Sequence, residues 1–334
     1  MNSEAWGSLE PSREPFTDIL RGTAIVILTW NQRDKTARCL QSIADAGYDL
    51  GRVVLWDNGS HDGTDAMVLD DFPDVIYHHH PTNQGVASGR NAAALLAERR
   101  LSPTHLMFLD NDMVVSKGFL ETLCASFAKE PRLAQAMAKI RFLGEPHRLH
   151  SAGGQVIDFR LGMKHGIGYG ELDLGQHDVQ RDCLPSGGAT LVSKDVFFEL
   201  DGFDGVFDPF GAEDTDFSYR VRNAGYRAVY VPDAVLYHDY HTKMGEGSDA
   251  RSYMATRVRQ WMILMRRHAT LGEKLSFFLG GAMIGFLRVA RQSLARGKAG
   301  AILGIPGGVR DYAGESSQPR EPARAAREVR TESD

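Results

Sequence analysis

The chain has 334 residues, 43% of them hydrophobic, which is enough for a sizeable core in one large domain or two. Its formal net charge of −5 argues against the general basic surface of a nucleic-acid-binding protein, so no nucleic acid is expected as a partner. Three cysteines (Cys39, Cys124 and Cys183) lack any paired spacing, which argues against a disulfide framework or a zinc ribbon and fits reduced thiols in a cytoplasm.

Composition divides the chain into four parts. We expect a flexible leader over residues 1–21, an α/β domain over 22–245, a C-terminal helical extension over 246–312 and a disordered tail over 313–334. The leader is polar and lacks the basic start and apolar centre of a secretory signal, so nothing in it suggests export.

Strands alternate with helices through the first part of the domain. Apolar runs at 24–28, 53–56, 75–77 and 106–109 predict strands, and the segments between them predict helices. Such alternation implies parallel pairing with right-handed crossovers, so the loops that leave the strands converge on one edge of the sheet. Ligands of open α/β sheets bind at that edge.

The fourth of these strands ends in two carboxylates one residue apart, Asp110 and Asp112. Side chains at this spacing share one face of an extended segment, so both can reach one hard divalent cation such as Mg²⁺ or Mn²⁺. An Asp-rich turn that merely closes the strand explains the pair equally well.

The second half of the domain gives weaker patterns. Residues 114–128 predict a helix, 140–182 are Gly-rich and suit hairpins or a loop that covers a site, and 185–192 predict a loop entering a strand. Acidic residues crowd the start of a helix predicted from Glu213 to Asn223, and a polar loop with His238 follows two short strands that flank Pro232.

Residues 277–287 are apolar but too short to span a bilayer, which takes about 20 residues. Two interpretations of the segment stay open. It forms a packed C-terminal helix, or it lies on a membrane surface through residues 277–298 with its basic side chains against anionic headgroups. Those basic side chains are Arg288, Arg291, Arg296 and Lys298.

Five motifs together resemble family 2 glycosyltransferases, in that family's order and spacing over about residues 22–245. They are Thr29-Trp30-Asn31; Asp57-Asn58-Gly59-Ser60 with Asp62-Gly63-Thr64; Asn83-Gln84-Gly85 with Arg90-Asn91; Asp110-Asn111-Asp112; and Gly202-Phe203-Asp204 followed by Glu213-Asp214. The stretch His150 to Gly154, with Gly168-Tyr169-Gly170 after it, is similar to a bacterial branch that includes rhamnosyltransferases.

The resemblance implies the A-type glycosyltransferase fold, in which one mixed, mainly parallel sheet binds a nucleotide-diphospho-sugar. It also implies an inverting, divalent-metal-dependent transfer of a hexose or deoxyhexose, rhamnose included, to a glycan or lipid-linked acceptor, in the cytoplasm or at the inner face of the cell membrane. A catalytically inactive nucleotide-sugar-binding or scaffolding protein of the same fold is the alternative, although a binder has no need for a base.

The resemblance also assigns roles to single residues. Asp214 matches the family's base, and Asp110, Asp112 and His238 match its metal site. The donor set is Thr29, Trp30, Asn31, Asp57, Asn83, Arg90, Asp110, Gly188 and Glu213.

Ordinary structural roles compete with these assignments. Trp30 stacks on a base or packs under a loop, Arg90 reaches a phosphate or forms a surface ion pair, and Gly188 gives room for a sugar or only makes a turn. Asp214 is a general base or a helix cap, and His238 is a metal ligand or an ordinary loop histidine.

Overall fold

The computed structural model of the protein describes residues 16–185, 188–240, 250–295 and 299–315. The strands are β1 Thr23–Thr29, β2 Val53–Asp57, β3 Ile76–His79, β4 His105–Asp110, β5 Met113–Val115, β6 Leu133–Phe142, β7 Leu149–Ser151, β8 Gln155–Asp158, β9 Met163–Gly166, β10 Arg181–Asp182, β11 Ala189–Ser193 and β12 Arg227–His238.

The helices are α1 Phe16–Gly22, α2 Arg33–Asp45, α3 Thr64–Asp71, α4 Val86–Leu101, α5 Phe119–Lys129, α6 Lys194–Glu199, α7 Glu213–Asn223, α8 Ala250–His268, α9 Leu271–Ser276, α10 Ala282–Ala295 and α11 Gly304–Glu315. A π-helical turn, Phe277–Gly281, joins α9 to α10.

Within the described residues, ten strands form one mixed sheet in the order β10-β12-β6-β11-β4-β1-β2-β3, with β5 beside β12 and β7 beside β6. The half formed by β4, β1, β2 and β3 is wholly parallel, as the alternation of strands and helices predicts. Strand β11 runs antiparallel between β4 and β6, and β6 pairs in parallel with β12.

Helices cover both faces of the parallel half, so β1, β2 and β4 are largely buried on both sides, whereas the edge strand β3 is partly exposed. In α4 the side chains that face the sheet are alanines, among them Ala93, Ala94 and Ala97, and their small size lets the helix lie close to β1 and β2. On the other face α2 contributes Cys39, Leu40 and Ile43, whose spacing puts them on one side of the helix.

The parallel register aligns the carboxyl ends of three strands. Thr29 at the end of β1 is the partner of Asp57 at the end of β2, and Leu28 is the partner of Asp110 at the end of β4. The polar loops singled out in the sequence therefore leave the sheet side by side.

Three predicted elements need correction. Residues 113–115 form strand β5 instead of the start of a helix, because Met113 pairs with His238, and helix α5 begins only at Phe119. The ten-residue strand β6 was not predicted. The two strands that flank Pro232 are one strand, β12, whose register against β6 shifts between Val231 and Val235.

The C-terminal extension packs on the domain through α8. Ile263, Leu264 and Met265 of α8 form an apolar cluster with Phe159, which follows β8, and with Phe207. Among the described residues, no helix is both long enough and apolar enough to cross a membrane.

The ends of the chain differ in part from the sequence-based boundaries. The segment that was predicted to be a leader includes α1, whose Phe16, Ile19 and Leu20 pack against the core. The predicted tail overlaps the end of α11 at residues 313–315. The rest of both segments, 1–15 and 316–334, lies outside the described residues, as do Arg296 and Lys298.

Candidate functional site

A buried guanidinium joins the end of β4 to the start of α7. Arg90 in α4 donates from one nitrogen to Asp110 (2.5 Å) and from another to Glu213 (2.9 Å), and it is only 7% exposed. Arg90 therefore does form an ion pair, but the pair is buried instead of lying on the surface. The bridge brings the first turn of α7, with Asp214 in it, to the carboxyl edge of the sheet.

Burial gives the second carboxylate of this bridge an unusual protonation state. Burial and the neighbouring charge of Asp214 raise the pKa of Glu213 to about 7, although the Arg90 guanidinium pulls it downward. One oxygen of Glu213 accepts from Arg90, and the other is buried without a hydrogen-bond partner.

Gly188 lies directly against Asp110. A Cβ atom on Gly188 would lie 2.0 Å from the Asp110 carboxyl carbon, and the Asp110 amide donates to the Gly188 carbonyl (2.9 Å). Glycine is required here so that the carboxylate of Asp110 can lie against the backbone. The close approach that the sequence predicted is therefore made by Asp110 in this structure.

Asp112 and His238 meet because β5 pairs with the end of β12. The His238 Nε2 lies 3.1 Å from a carboxylate oxygen of Asp112, and the Lys35 ammonium lies 3.5 Å from the same oxygen. Burial acts to raise the pKa of Asp112, but the hydrogen bond and charge of His238, together with Lys35, outweigh it and lower that pKa.

We asked whether these side chains fit a divalent cation. Among the described residues, no three His, Cys, Asp or Glu side chains are grouped to hold a metal ion, and Asp110 is engaged with Arg90. The predicted set of Asp110, Asp112 and His238 is therefore not assembled as three ligands. Asp112 and His238 alone still fit Mg²⁺ or Mn²⁺, since such ions at sugar-nucleotide sites take few protein ligands and complete their shell with water and phosphate oxygens.

A second histidine supports the first. His150 in β7 places its Nε2 3.2 Å from the Nδ1 of His238, and its own Nδ1 is buried without a hydrogen-bond partner. Burial and the neighbouring His238 lower the pKa of His150 to about 4, so its ring is neutral and can fix the tautomer of His238. The two histidines are 88 positions apart, and only the pairing of the strands reveals their contact.

The loop after β1 divides into a buried and an exposed part. The hydroxyl of Thr29 is buried, 2.8 Å from the hydroxyl of Thr36, and accepts from the Asn111 amide (3.1 Å). The side chain of Thr29 therefore holds the loop in this structure, and its donor contact stays a prediction. Trp30 is 52% exposed, so it does not pack under a loop, and its ring is open to a partner.

Two asparagines of the predicted donor set hold the loops in shape. Asn31, in the left-handed conformation (φ 51°), donates its amide to the Ser60 hydroxyl and accepts from the His61 amide, each at 2.8 Å. Asn83 accepts from the side chain of Asn58 and from the Gly85 amide, each at 2.9 Å. Both side chains fix the loops that border Trp30 and Arg90.

Asp57 lies underneath its loop in this structure. It is fully buried, and its oxygens accept from the Ser60 amide and the Tyr77 hydroxyl, each at 2.8 Å, and lie 3.3 Å from His79 Nδ1. A nucleobase can therefore reach Asp57 only if a covering side chain such as His79 moves. On the other face of β3, His78 stacks on Trp56, so the histidines of β3 point to opposite faces and form no metal cluster.

Asp214 is half-buried in the first turn of α7. Its carboxylate accepts from the Thr215 amide (2.6 Å), and the Thr215 hydroxyl accepts from Lys164 (3.2 Å), which the β8–β9 hairpin brings to the helix. Lys164 was not singled out in the sequence, since a lone lysine in a Gly-rich hairpin carries no local signal. The N-cap of α7 is Ala212, so Asp214 satisfies a free amide of the first turn without being the N-cap, and its half-buried carboxylate beside the Arg90 bridge fits a base.

The third acidic residue of this turn is structural. Asp216 does not cap α7 as its position suggests; instead it is fully buried and accepts from Arg220 (2.8 Å), Arg267 (3.0 Å) and His268 (2.8 Å). Burial acts to raise the pKa of Asp216, but these three partners outweigh it and lower that pKa to about 2. Asp216 therefore ties α7 to the end of α8.

Comparison with solved structures shows the fold. The chain is similar to GalNAc-T7, described with UDP, GalNAc and Mn²⁺, over 90% of its length and 58% of that chain (TM-score 0.58, 17% identity). It is also similar to a mannosyltransferase from Pyrobaculum calidifontis, described in complex with GDP-Man and Mn²⁺, over 93% of its length and 79% of that chain (TM-score 0.50, 16% identity).

Comparison of sequences gives relatives at modest identity. The chain is 27% identical to a pre-mycofactocin glycosyltransferase of Mycobacterium tuberculosis over 70% of its length, and it spans only 46% of that relative. It is 25% identical to an N-acetylglucosaminyl-diphospho-decaprenol L-rhamnosyltransferase of the same organism, over 76% of this chain and 86% of that one. Residues 24–178 match the family model described as glycosyl transferase family 2. Residues 24–178 therefore match glycosyl transferase family 2, and the chain has the A-type glycosyltransferase fold.

Proposed function

We propose that the protein is an inverting glycosyltransferase that moves a hexose or deoxyhexose from a nucleotide-diphospho-sugar to an acceptor hydroxyl. The observation that carries the proposal is the Arg90 bridge. It ties Asp110, two residues before Asp112, to Glu213, the residue before Asp214. A cation-binding pair and a carboxylate base at one edge of a sheet are what a single displacement on a nucleotide sugar requires.

Asp214 is the base in this proposal. The acceptor hydroxyl loses its proton as it attacks the anomeric carbon, and the attack comes from the face opposite the leaving nucleoside diphosphate, so the configuration inverts. Thr215 and Lys164 hold the first turn of α7, and the hydrogen bond between Arg90 and Glu213 fixes the adjacent position.

The donor lies along the loops that leave β1, β2 and β4 in this proposal. The exposed ring of Trp30 stacks on the nucleobase, and Asn31 and Asn83 hold the loops on either side. Asp57 joins the base contact once His79 moves aside.

Asp112 and His238 hold the divalent cation, Mg²⁺ or Mn²⁺, with His150 behind His238. When bound, such an ion neutralises the charge that develops on the leaving nucleoside diphosphate. Mn²⁺ occurs in both of the similar solved structures, which supports a metal of this class.

Relatives suggest the chemistry of the two substrates. One of them is named as an L-rhamnosyltransferase that acts on a diphospho-decaprenol-linked sugar. We therefore propose rhamnose among the candidate sugars and a glycan or lipid-linked acceptor, reached from the cytoplasmic face of the membrane.

A donor screen tests the proposal. Purified protein is offered UDP-, dTDP- and GDP-sugars with Mg²⁺ or Mn²⁺, and both thermal stabilisation and nucleotide release are measured. We expect one donor class to stabilise the fold and release nucleotide, and EDTA and Asp112→Asn to abolish both effects. Full activity in EDTA would remove the metal from the proposal. Stabilisation without release, across a range of acceptors, would favour the inactive binding protein.

A further inference from the structure

The C-terminal helices expose a row of large apolar side chains. Residues 271–295 form one helical segment from α9 through the π-turn to α10, and the apolar side chains on its outer side are at least half exposed. They are Leu275, Phe278, Leu279, Met283, Ile284 and Leu287. Four of them recur at every fourth position, from 275 to 287, so they lie along one side of the segment.

The opposite side of the same segment is already packed. A Cβ atom on Gly281 would lie 1.8 Å from the Arg160 carbonyl oxygen, and one on Gly162 would lie 2.8 Å from the ring of Phe277. The segment therefore rests with its small and inward residues on the tip of the β8–β9 hairpin. The exposed row faces away from the domain and is not used in this packing.

Beyond Glu273, whose side chain caps the start of α9, the charge along the segment is positive. From residue 274 to residue 310 the sequence contains no Asp or Glu. It contains six basic residues, namely Lys274, Arg288, Arg291, Arg296, Lys298 and Arg310. An anionic bilayer is complementary to an apolar row flanked by basic side chains, because it has an apolar layer beneath a layer of negative headgroups.

We propose that residues 271–295 seat the protein on an anionic lipid bilayer and that the acceptor is carried by that bilayer. The acceptor part rests on the proposed function. The hairpin links the two sites: its tip supports the helical segment, and its strand β9 carries Lys164 to Thr215, beside Asp214. A sugar held at the headgroup layer by a lipid would thus approach the candidate base from the side of the hairpin.

Vesicle flotation tests whether residues 271–295 bind an anionic bilayer. The full chain is mixed with phosphatidylcholine vesicles, with or without phosphatidylglycerol, and the floated fraction is measured. We expect flotation with the anionic vesicles only, weakened by high salt. Leu279→Glu with Met283→Glu should lower the floated fraction by about tenfold, because two apolar side chains become charged at the row.

The matched control adds the same two charges elsewhere. Leu69 and Val179 are exposed apolar residues outside the row (62% and 67% exposed, against 86% for Leu279 and 63% for Met283). The variant with Leu69→Glu and Val179→Glu should float like the wild type. Wild-type protein that stays unbound, an equally floating row variant, or an equal loss in the control would each overturn the proposal.

Two further readouts separate this proposal from its neighbours. Thermal stabilisation by the donor is measured on the same preparations. If the donor stabilises the protein but the protein does not float with vesicles, the membrane-binding proposal is wrong and the proposed function stands. If the protein floats but no donor stabilises it, the proposed function is wrong and the membrane-binding proposal stands. Light scattering without lipid covers the other occupant of the row: a dimer that the row variant dissociates, with no vesicle binding, would show a self-interface and contradict the membrane-binding proposal.

Discussion

Arg90 illustrates how one side chain sets the charge of the site at the residue scale. A buried guanidinium between two carboxylates compensates about one negative charge, so the remaining carboxylate charge is costly inside the fold. Glu213 bears that cost, because it is buried, one of its oxygens has no hydrogen-bond partner and Asp214 follows it. With a pKa of about 7, the Glu213 carboxyl is protonated in a substantial fraction of the molecules near neutral pH.

This leads to a prediction about pH and stability. The pKa of Glu213 in the folded protein, about 7, is above its ordinary value of 4.5. Its contribution to stability is therefore fully present below pH 4.5 and lost as the pH rises through about 7. The glutamine in Glu213→Gln cannot ionise. The unfolding temperature of this variant, relative to that of the wild type, should therefore increase as the pH rises across this window.

The measurement is thermal unfolding of both proteins over a pH series. Glu145→Gln serves as the control, since the Glu145 side chain is 59% exposed and pairs with Arg148 at the surface, and its difference from the wild type should stay flat. A difference between Glu213→Gln and the wild type that does not change with pH would contradict the burial argument.

The sequence predicts which residues lie near the candidate site. It predicts less well which way their side chains point. Asp112 with His238 and the exposed Trp30 stand where the motifs suggested. The side chains of Thr29 and Asp57 lie under the loops, where neighbouring hydroxyl and amide groups satisfy them, and the sequence did not predict these contacts. Such contacts join residues from 3 to 82 positions apart, and a one-dimensional pattern does not contain them.

At the scale of elements, the tie between α7 and α8 positions the candidate base. Asp216 receives hydrogen bonds from Arg267 and His268 at the end of α8, and the His268 ring stacks on Tyr219 (centroids 4.5 Å apart). Helix α8 thereby holds the helix that presents Asp214. The C-terminal extension is thus a support for the site.

Asp216→Asn should break this tie. Removing one partner of a buried charge cluster costs about 3 to 5 kcal/mol, so we expect a destabilisation of that order at neutral pH, together with faster amide hydrogen exchange in α8. The pKa of Asp216, about 2, is below its ordinary 3.8, so its contribution is present above pH 3.8 and lost as the pH falls through about 2. The difference between the two proteins should shrink over that interval.

Denaturant unfolding measures the effect, with Asp195→Asn as the control. Asp195 is 87% exposed, and its variant should stay within about 0.5 kcal/mol of the wild type. A loss in Asp216→Asn no larger than in the control would show that the cluster does not hold α8 to the domain.

Elements were predictable where burial and pattern agreed. The strands β1, β2 and β4 are continuous apolar runs between polar loops, as a parallel sheet requires. Strand β6 escaped prediction because its sequence is rich in helix-forming residues, and its buried Lys139 is tolerated only through ion pairs with Asp173 and Asp178. Those partners come from the Gly-rich region and are invisible locally.

In the molecule as a whole, the sheet edge, the β8–β9 hairpin and the C-terminal helices are connected by direct contacts. The parallel half carries the donor loops, the Arg90 bridge adds α7, and the hairpin connects α7 to the helical segment with the exposed apolar row. The proposed donor site, the candidate base and the proposed membrane-binding segment are therefore joined through contacting elements. Whether these elements act together in transfer depends on Asp214.

Asp214→Asn distinguishes a general base from a side chain that only stabilises the first turn of α7. Asparagine keeps the size of the side chain and its hydrogen bond to the Thr215 amide, and it is as good a helix cap as aspartate. It cannot accept the proton of the acceptor hydroxyl. The base and cap interpretations therefore give opposite outcomes for the same variant.

The measurement is turnover and donor affinity on one preparation of Asp214→Asn, with the donor that the screen identifies. We expect donor affinity close to that of the wild type and turnover lower by about 10² to 10⁴-fold, the usual contribution of a general base. Turnover within about threefold of the wild type, roughly 0.7 kcal/mol of barrier, would contradict this expectation.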